Sequence, residues 1–237
     1  MVNLINDVLL GLRTLLYPPI CISCLNLCER YLCLNCRSEW STGATCISRS
    51  PLVMVASRSY DDSAQRVLLS AKEDGNRAAR DLIAISITYS ILQLLSQIQI
   101  MRANCDSITL VPMPSRKKNI RRRGEKFLIP ILERVHIELA KRQRNVRFEV
   151  KEILIHSRSV KEQSGLTFQE RRRNMDGALR INGAVLRKWR ETPVILIDDV
   201  ITTGSSMASA YKTLMQAKIT VLGGVSACAT SARMPIR

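Results

Sequence analysis

The chain has 237 residues, of which 46% are hydrophobic and 4% aromatic. The hydrophobic fraction is high enough for a folded protein with a hydrophobic core. The length predicts one medium domain with a small appendage, or two small domains. The 36 basic and 20 acidic residues give a net charge of +16, which favours nucleic acid, phosphorylated metabolites or an acidic membrane surface as partners. A generally basic proteome is the alternative explanation of the charge.

The N-terminal segment MVNLINDVLLGLRTLLYPP places Leu4, Val8, Leu12 and Leu15 at helical spacing. This spacing predicts an amphipathic helix. Two charged residues interrupt the segment and no small-residue cleavage site follows, so we do not expect a signal peptide.

Six of the eight cysteines lie between residues 21 and 46. Two C-x-x-C pairs could share one tetrahedral Zn²⁺ in a closed structural site. Disulfides are the competing interpretation, but a reducing compartment, expected without a secretory signal, favours zinc. The predicted ligands are Cys21, Cys24, Cys33 and Cys36, with Cys28 as a spare candidate and Cys46 unassigned. We predict a zinc module over residues 1–50, which needs the metal to fold, and a larger domain over residues 51–237.

Beyond residue 50, strand-like and helix-like segments alternate, which predicts an α/β protein with a parallel sheet covered on both faces. The apolar segment 81–101 carries a polar stripe and is therefore expected to face a protein core and not lipid. We expect no membrane insertion and a cytoplasmic location. The predicted strands are 52–60, 107–114, 152–156, 193–198 and 219–229, and the predicted helices are 62–72, 77–101, 125–143, 205–217 and one starting near 167.

The segment VILIDDVITTGSS, residues 194–206, ends an aliphatic run with two adjacent carboxylates. In open α/β sheets, ligands bind beyond the carboxyl ends of the strands. Paired carboxylates are costly to desolvate without donors or a cation, and sugar hydroxyls and Mg²⁺ supply both. A glycine-containing turn into a helix makes a phosphate cradle. The segment therefore predicts a site for a phosphorylated ribose; simple helix capping by Asp198 or Ser205 is the alternative.

This segment resembles the phosphoribosyl pyrophosphate (PRPP) binding signature of type I phosphoribosyltransferases, and the chain resembles the ComF-type competence proteins almost end to end. LLYPPICISC resembles that family's entry into its zinc module, and QSGLTFQERRRNMDGA resembles a further motif carried by Gln163, Gly165, Leu166, Glu170, Arg171 and Asn174. Lys72 falls where the family carries a lysine at the end of a helix. Glu125 and Lys126 depart from the family's usual Phe-Asn.

The resemblance implies a type I phosphoribosyltransferase-like fold with an N-terminal zinc module, and it implies binding roles for two loops. The PRPP-binding residues would be Asp198, Asp199, Thr202, Thr203, Gly204, Ser205 and Ser206, with the two aspartates as catalytic candidates. The pyrophosphate loop would comprise Pro112, Met113, Pro114, Ser115, Arg116 and Lys117. Mg²⁺ is expected to accompany PRPP.

The region from Arg116 to Arg147 holds twelve basic and three acidic residues. Contact with nucleic-acid phosphates explains such a density, and a solvated basic face is the alternative. The few aromatic residues nearby give little support for base stacking. The candidate contacts are Lys118, Arg121, Arg122, Arg123, Lys126, Arg171, Arg172 and Arg173.

Three functions fit these patterns. The resemblance implies a competence factor that handles incoming single-stranded DNA during natural transformation, with other competence proteins as candidate partners. An active phosphoribosyltransferase and a PRPP-sensing regulator that binds nucleic acid are the alternatives.

Overall fold

The computed structural model describes residues 19–28, 31–43, 45–48, 51–98, 106–143, 145–157, 178–186 and 192–230. The main sheet has six strands in the spatial order β1-β2-β8-β7-β3-β4. All neighbours pair in parallel except β1, which pairs antiparallel with β2. The strands are β1 (Thr45–Ser48), β2 (Met54–Ser59), β3 (Ser107–Pro112), β4 (Arg147–Val150), β7 (Val194–Ile201) and β8 (Val221–Ala229).

A small antiparallel pair and seven helices complete the described part of the chain. The pair consists of β5 (Leu154–His156) and β6 (Leu179–Ile181). The helices are α1 (Leu34–Trp40), α2 (Asp62–Glu73), α3 (Arg77–Gln97), α4 (Lys117–Arg123), α5 (Leu128–Arg142), α6 (Gly183–Leu186) and α7 (Ser205–Gln216).

Strand β7 lies between β8 and β3 and is buried on both of its faces. Ile195 and Ile197 belong to the core beneath α2, α3 and α5, whereas Val194 and Leu196 belong to the core beneath α7 and β5–β6. Because successive strand residues point to opposite faces, an unbroken aliphatic run is what a strand covered on both sides requires. The predicted α/β fold with a covered, mainly parallel sheet is confirmed.

Helix α3 is the longest described helix and packs between α2, α5 and the sheet. Two of its serines are fully buried: Ser86 donates a hydrogen bond to the Trp40 carbonyl at 3.2 Å, and Ser90 donates one to the Ser226 carbonyl at 2.8 Å. In the described residues α3 is the one helix with the length and hydropathy of a membrane span, and 61% of its most apolar window is buried within the protein. This burial agrees with a core helix.

Several elements differ from the sequence-based expectation. Helices α1, α4 and α6 and strands β1, β4 and β6 were not predicted, and β7 continues to Ile201, three residues beyond its predicted end. The predicted N-terminal helix and the predicted helix near residue 167 lie outside the described residues. The proposed boundary at residue 50 stays a prediction, although β1, on its N-terminal side, pairs with β2 of the larger domain.

Candidate functional site

The carboxylate pair lies where the central strand passes beyond its neighbour. Pairing between β3 and β7 ends at Pro112 and Ile197, and the next two residues of β7 are Asp198 and Asp199. On the other side, pairing with β8 continues to Ile201. The two carboxylates therefore stand at the carboxyl edge of the sheet, in the gap opened by the end of β3, which is the ordinary ligand position in open α/β sheets.

Backbone amides and a lysine engage oxygens of both carboxyl groups. The Asp199 amide donates to Asp198 Oδ1 at 2.9 Å, and the Val200 amide donates to Asp199 Oδ1 at 2.9 Å. Asp199 Oδ2 is buried without a well-formed hydrogen bond, and an ion pair with the Lys72 ammonium compensates its charge. Burial, reinforced by the charge of Asp199, raises the pKa of Asp198 well above its usual value.

This donor set does not fit a Mg²⁺ ion bound directly by both aspartates. Magnesium usually takes one or two ionised carboxylates together with waters and ligand phosphates. Here both oxygens of Asp199 have partners, and burial together with the charge of Asp199 raises the pKa of Asp198, which disfavours its charged form. The aspartates are instead disposed to accept hydrogen bonds from hydroxyl groups and to share the lysine ammonium.

The turn after β7 leads into α7 with a backbone suited to an anion. Gly204 has φ 72°, a left-handed conformation that glycine adopts without strain. The first-turn amides of a helix have no intrahelical acceptor. No side chain caps α7, so its amides beyond Ser205 are open to a ligand. The Ser205 amide contacts Thr203 Oγ1 at 3.3 Å, and the two hydroxyls lie 2.8 Å apart. Amides and hydroxyls thus line a turn that can hold a phosphate.

The loop after β3 is fixed beside the aspartates by two hydrogen bonds. The Met113 amide donates to the Ile197 carbonyl at 2.8 Å, directly before Asp198. His156 Nε2 lies 2.8 Å from the carbonyl oxygen of Pro114 and donates to it in the tautomer that carries the proton there. The predicted pyrophosphate loop is therefore adjacent to the carboxylate pair. No sequence pattern pointed to His156 as a support of this loop.

The predicted nucleic-acid contacts differ in their availability. Helix α4 exposes Lys118 and Arg121, together with Lys117 of the predicted pyrophosphate loop. Arg122 and Arg123 both donate to Glu73 Oε1, at 2.8 and 3.1 Å, and the Arg123 side chain is only 14% exposed. Lys126 pairs with Glu152. Arg122 and Lys126 stay largely exposed, at 58% and 49%, although each pairs with an acid, whereas Arg123 is largely buried. Arg171, Arg172 and Arg173, with the motif around them, lie outside the described residues.

The four predicted zinc ligands form one cluster near the N-terminus. Their Sγ atoms lie within 4.8 Å of one another, and the Cys24 and Cys33 sulfurs are 3.8 Å apart. Zn–S bonds of about 2.3 Å in a tetrahedron require sulfur separations of about 3.8 Å. Backbone amides of Cys33 and Cys36 donate to the sulfurs of Cys21 and Cys33. The cluster fits a metal such as zinc, and Cys28 does not belong to it.

The thiols of the cluster differ in acidity. Burial alone would raise the pKa of Cys21, but amide donors from Cys33, Cys24 and Ser23 outweigh it and lower the pKa to about 6. Burial raises the pKa of Cys36 to about 12, and neighbouring thiols add to this shift. The amides around Cys21 therefore favour its thiolate, and a bound dication would favour loss of the remaining protons.

The cysteine cluster is attached to the larger domain through Ser23. The Ser23 hydroxyl lies 2.6 Å from the Ser63 hydroxyl on α2 and accepts a hydrogen bond from Trp40 Nε1 at 3.2 Å. Arg66, also on α2, donates to the Ser23 carbonyl. The same helix carries Lys72 in its last turn. One helix therefore contacts both the cysteine cluster and the carboxylate pair.

These observations define an α/β protein with a central parallel sheet, an N-terminal cysteine cluster fit for a metal ion, and a polar site at the carboxyl edge of β7. No family model and no curated protein matches the chain. Among solved structures, a hypoxanthine phosphoribosyltransferase from Staphylococcus aureus matches with 13% identity and a TM-score of 0.28, over 62% of this chain and 67% of that one. A match at this TM-score assigns no role to any residue here.

Proposed function

We propose that the edge of the sheet around Asp198 and Asp199 binds a phosphoribosyl compound, with PRPP as the preferred ligand. The observation that carries the proposal is the placement of paired carboxylates in the gap beyond β3, five residues before a left-handed glycine and an uncapped helix start. Carboxylates recognise the hydroxyls of a ribose, and the helix start recognises its 5-phosphate. The resemblance of this segment to the phosphoribosyltransferase signature supports the same ligand.

Each part of the site has a distinct task in this proposal. Asp198 and Asp199 accept hydrogen bonds from the ribose hydroxyls, while the turn from Thr202 to Ser206 holds the 5-phosphate. The loop at Met113 and Pro114 faces the other end of the ribose, where a pyrophosphate group would lie. Arg116 and Lys117, which follow this loop and are exposed, would neutralise that charge. Mg²⁺ stays a prediction attached to the pyrophosphate and not to the aspartates.

The wider role we propose is that of a ComF-type competence protein that handles incoming single-stranded DNA in the cytoplasm. The exposed basic side chains of α4 support this part, because they lie next in the chain to the pyrophosphate loop. Contacts to backbone phosphates do not depend on base sequence, so they allow the protein to bind a DNA strand of any sequence. Other competence proteins are candidate partners.

One experiment distinguishes PRPP binding from phosphoribosyl transfer. If the protein is a phosphoribosyltransferase, an acceptor nitrogen forms a bond to the ribose C1 while the C1–oxygen bond to pyrophosphate breaks, so pyrophosphate is released in equal amount. We would measure PRPP affinity by calorimetry and pyrophosphate release over a set of nucleobases and amines, with and without single-stranded DNA.

The expected result is PRPP binding that the double replacement Asp198→Asn with Asp199→Asn abolishes. Replacement of Asp106 by Asn, at the opposite end of β3, is the matched control and should leave binding unchanged. Release of pyrophosphate with one acceptor would establish the enzyme, whereas binding without release supports a sensor. Absence of affinity for every phosphoribosyl compound would refute the proposal.

A further inference from the structure

Lys72 is a cation built into the carboxylate site. It lies in the last turn of α2, and its ammonium contacts Asp199 Oδ2, the buried oxygen that has no well-formed hydrogen bond. The two side chains are 24% and 14% exposed. An ion pair this sheltered is screened little by salt, and removal of one partner leaves the other charge uncompensated.

The position of Lys72 is fixed by more than its charge partner. Its ammonium lies 5.3 Å from the centre of the Phe127 ring, and the guanidinium of Arg123 lies 5.7 Å from the centre of the same ring. Phe127 is itself buried, with 4% exposure. Arg123 in turn pairs with Glu73, the neighbour of Lys72. This aromatic support and the local charge balance hold the lysine at the aspartate in the absence of any ligand.

A divalent ion at Asp199 would have to displace this ammonium. Both oxygens of Asp199 are engaged, and the ammonium already supplies a positive charge at the place where a metal would. An ammonium has three donors, and Asp199 takes one of them. The remaining donors suit the hydroxyls of a sugar.

We propose that Lys72 replaces a divalent metal at the carboxylate pair, so that the site binds a ribose 5-phosphate without metal. A ribose hydroxyl accepts a hydrogen bond from Lys72 and donates one to Asp199. Lys72 is thus a ligand-binding and specificity-determining residue, which selects sugar phosphates that present a hydroxyl between a cation and a carboxylate. This inference rests on the proposed function, because it concerns the same site.

The test uses ribose 5-phosphate, which lacks the pyrophosphate that would bring its own metal. Calorimetry on the zinc-loaded chain of 237 residues would compare binding without added divalent cation, after removal of loosely bound metal by desalting, with binding in excess MgCl₂. We expect the two dissociation constants of the wild type to agree within about threefold, since the internal cation serves in both conditions.

Four variants separate charge from structure. Lys72→Met should weaken metal-free binding by about tenfold or more, since the uncompensated Asp199 then repels the phosphate, and Mg²⁺ should restore part of the loss. Lys72→Arg should keep metal-independent binding. In the double variant Lys72→Met with Asp199→Asn, the affinity for ribose 5-phosphate should again not depend on Mg²⁺, because no uncompensated carboxylate charge remains. Lys218→Met, an exposed lysine at the far end of α7, is the control and should behave as the wild type.

The outcomes distinguish this inference from the function on which it rests. Wild-type binding that appears only with Mg²⁺ would overturn the role of Lys72 and leave the ribose site intact. Unchanged metal-free binding in the Lys72→Met variant would overturn it as well. A wild type that binds ribose 5-phosphate in neither condition would overturn both proposals. Circular dichroism and zinc content verify the folding of each variant, and Lys72→Gln replaces the methionine variant if that one does not fold.

Discussion

Arg66 Nη2 donates a hydrogen bond of 2.6 Å to the carbonyl oxygen of Ser23, and its Nε donates a second one of 3.1 Å. Ser23 lies between two cysteines of the metal cluster, whereas Arg66 lies in the middle of α2. This forked contact attaches the cysteine module to the helix that carries Lys72.

Replacement of Arg66 by Ala should therefore destabilise the attachment of the module. A partly buried carbonyl loses two charged donors, which costs about 1–3 kcal/mol. The measurement is urea unfolding at a fixed zinc concentration. Arg37→Ala, an exposed arginine on α1, is the matched control and should cost less than about 0.5 kcal/mol. Equal midpoints for the two variants would contradict the proposed attachment.

The cysteine cluster should hold about one zinc per chain. Cys33→Ser should remove the metal, because Cys33 also aligns the cluster by accepting from the Cys36 amide. Cys28→Ser is the internal control and should retain it, since Cys28 lies outside the cluster. Atomic emission on purified protein measures the zinc content. Zinc retained by Cys33→Ser but lost by Cys28→Ser would reassign the ligands.

Removal of the metal by a chelator should unfold residues 20–40 and leave the larger domain folded. Trp40 reports this change, because its ring is fully buried and its Nε1 is bonded to Ser23. In a Trp189→Phe background, its emission should shift to longer wavelength on chelation while most of the far-ultraviolet circular dichroism remains. An unshifted spectrum in metal-free protein would show that the module folds without the ion.

Asp198→Asn should raise the melting temperature at neutral pH. The pKa of Asp198 is raised in the folded state, so folding is favoured when this carboxyl is protonated. The contribution of Asp198 to the free energy of unfolding therefore declines as the pH rises above about 4, the pKa of an aspartate in the unfolded chain. Asparagine removes that cost. We expect a gain of about 2–4 °C at pH 7, equivalent to about 1 kcal/mol, which disappears near pH 4.

Scanning calorimetry at several pH values provides this comparison. Asp199→Asn is the matched variant and should bring no such gain, because it removes the ion pair with Lys72. A melting temperature lowered by Asp198→Asn at pH 7 would indicate that its ionised form stabilises the fold.

Two adjacent glycines of β8 should respond differently to alanine. A Cβ on Gly223 would lie 2.7 Å from Leu94 Cδ1 and 2.9 Å from the Val53 carbonyl oxygen, neither of which can move easily. A Cβ on Gly224 would meet the sulfur of Met207, a flexible side chain in the first turn of α7. Gly223→Ala should cost about 1–3 kcal/mol, and Gly224→Ala should cost less.

Gly224→Ala should instead weaken phosphate binding, because displacement of Met207 disturbs the helix start that forms the cradle. Urea unfolding and ribose 5-phosphate calorimetry on both variants measure the two effects. If Gly224→Ala lowered stability more than Gly223→Ala and left affinity unchanged, the assignment of the cradle to this helix start would be wrong.

The protein should bind single-stranded DNA through the exposed basic residues of α4. Joint replacement of Lys117, Lys118 and Arg121 by Gln should lower the slope of log affinity against log salt by up to about two, at about 0.7 per contact. Replacement of Lys141 and Arg142, an exposed pair bonded to Glu138 on α5, is the control. Mobility shifts at several salt concentrations measure the slope, and wild-type protein that leaves labelled strands unshifted at low salt would refute the interface.

The sheet and the cysteine cluster were predictable because their signals are local. Four consecutive aliphatic residues before Asp198 require burial on both faces of a strand, and two C-x-x-C pairs require only short-range closure. The ion pair between Lys72 and Asp199 joins residues 127 positions apart, and no periodicity encodes such a contact. The same holds for His156 and Pro114, and for the pairing of Arg123 with Glu73, which removes one predicted DNA contact from the accessible surface.

Strand β1 covers one border of the six-stranded sheet. It follows the cysteine module in the chain and pairs antiparallel with β2, whose backbone would otherwise present unpaired amides and carbonyls. Exposed borders of this kind recruit strands from other molecules. A fragment that begins at residue 51 should therefore self-associate during refolding, while one that begins at residue 43 should stay monomeric at the same concentration. Strand β1, which follows the cysteine module, thus protects β2 from aggregation, and this protection does not depend on any ligand.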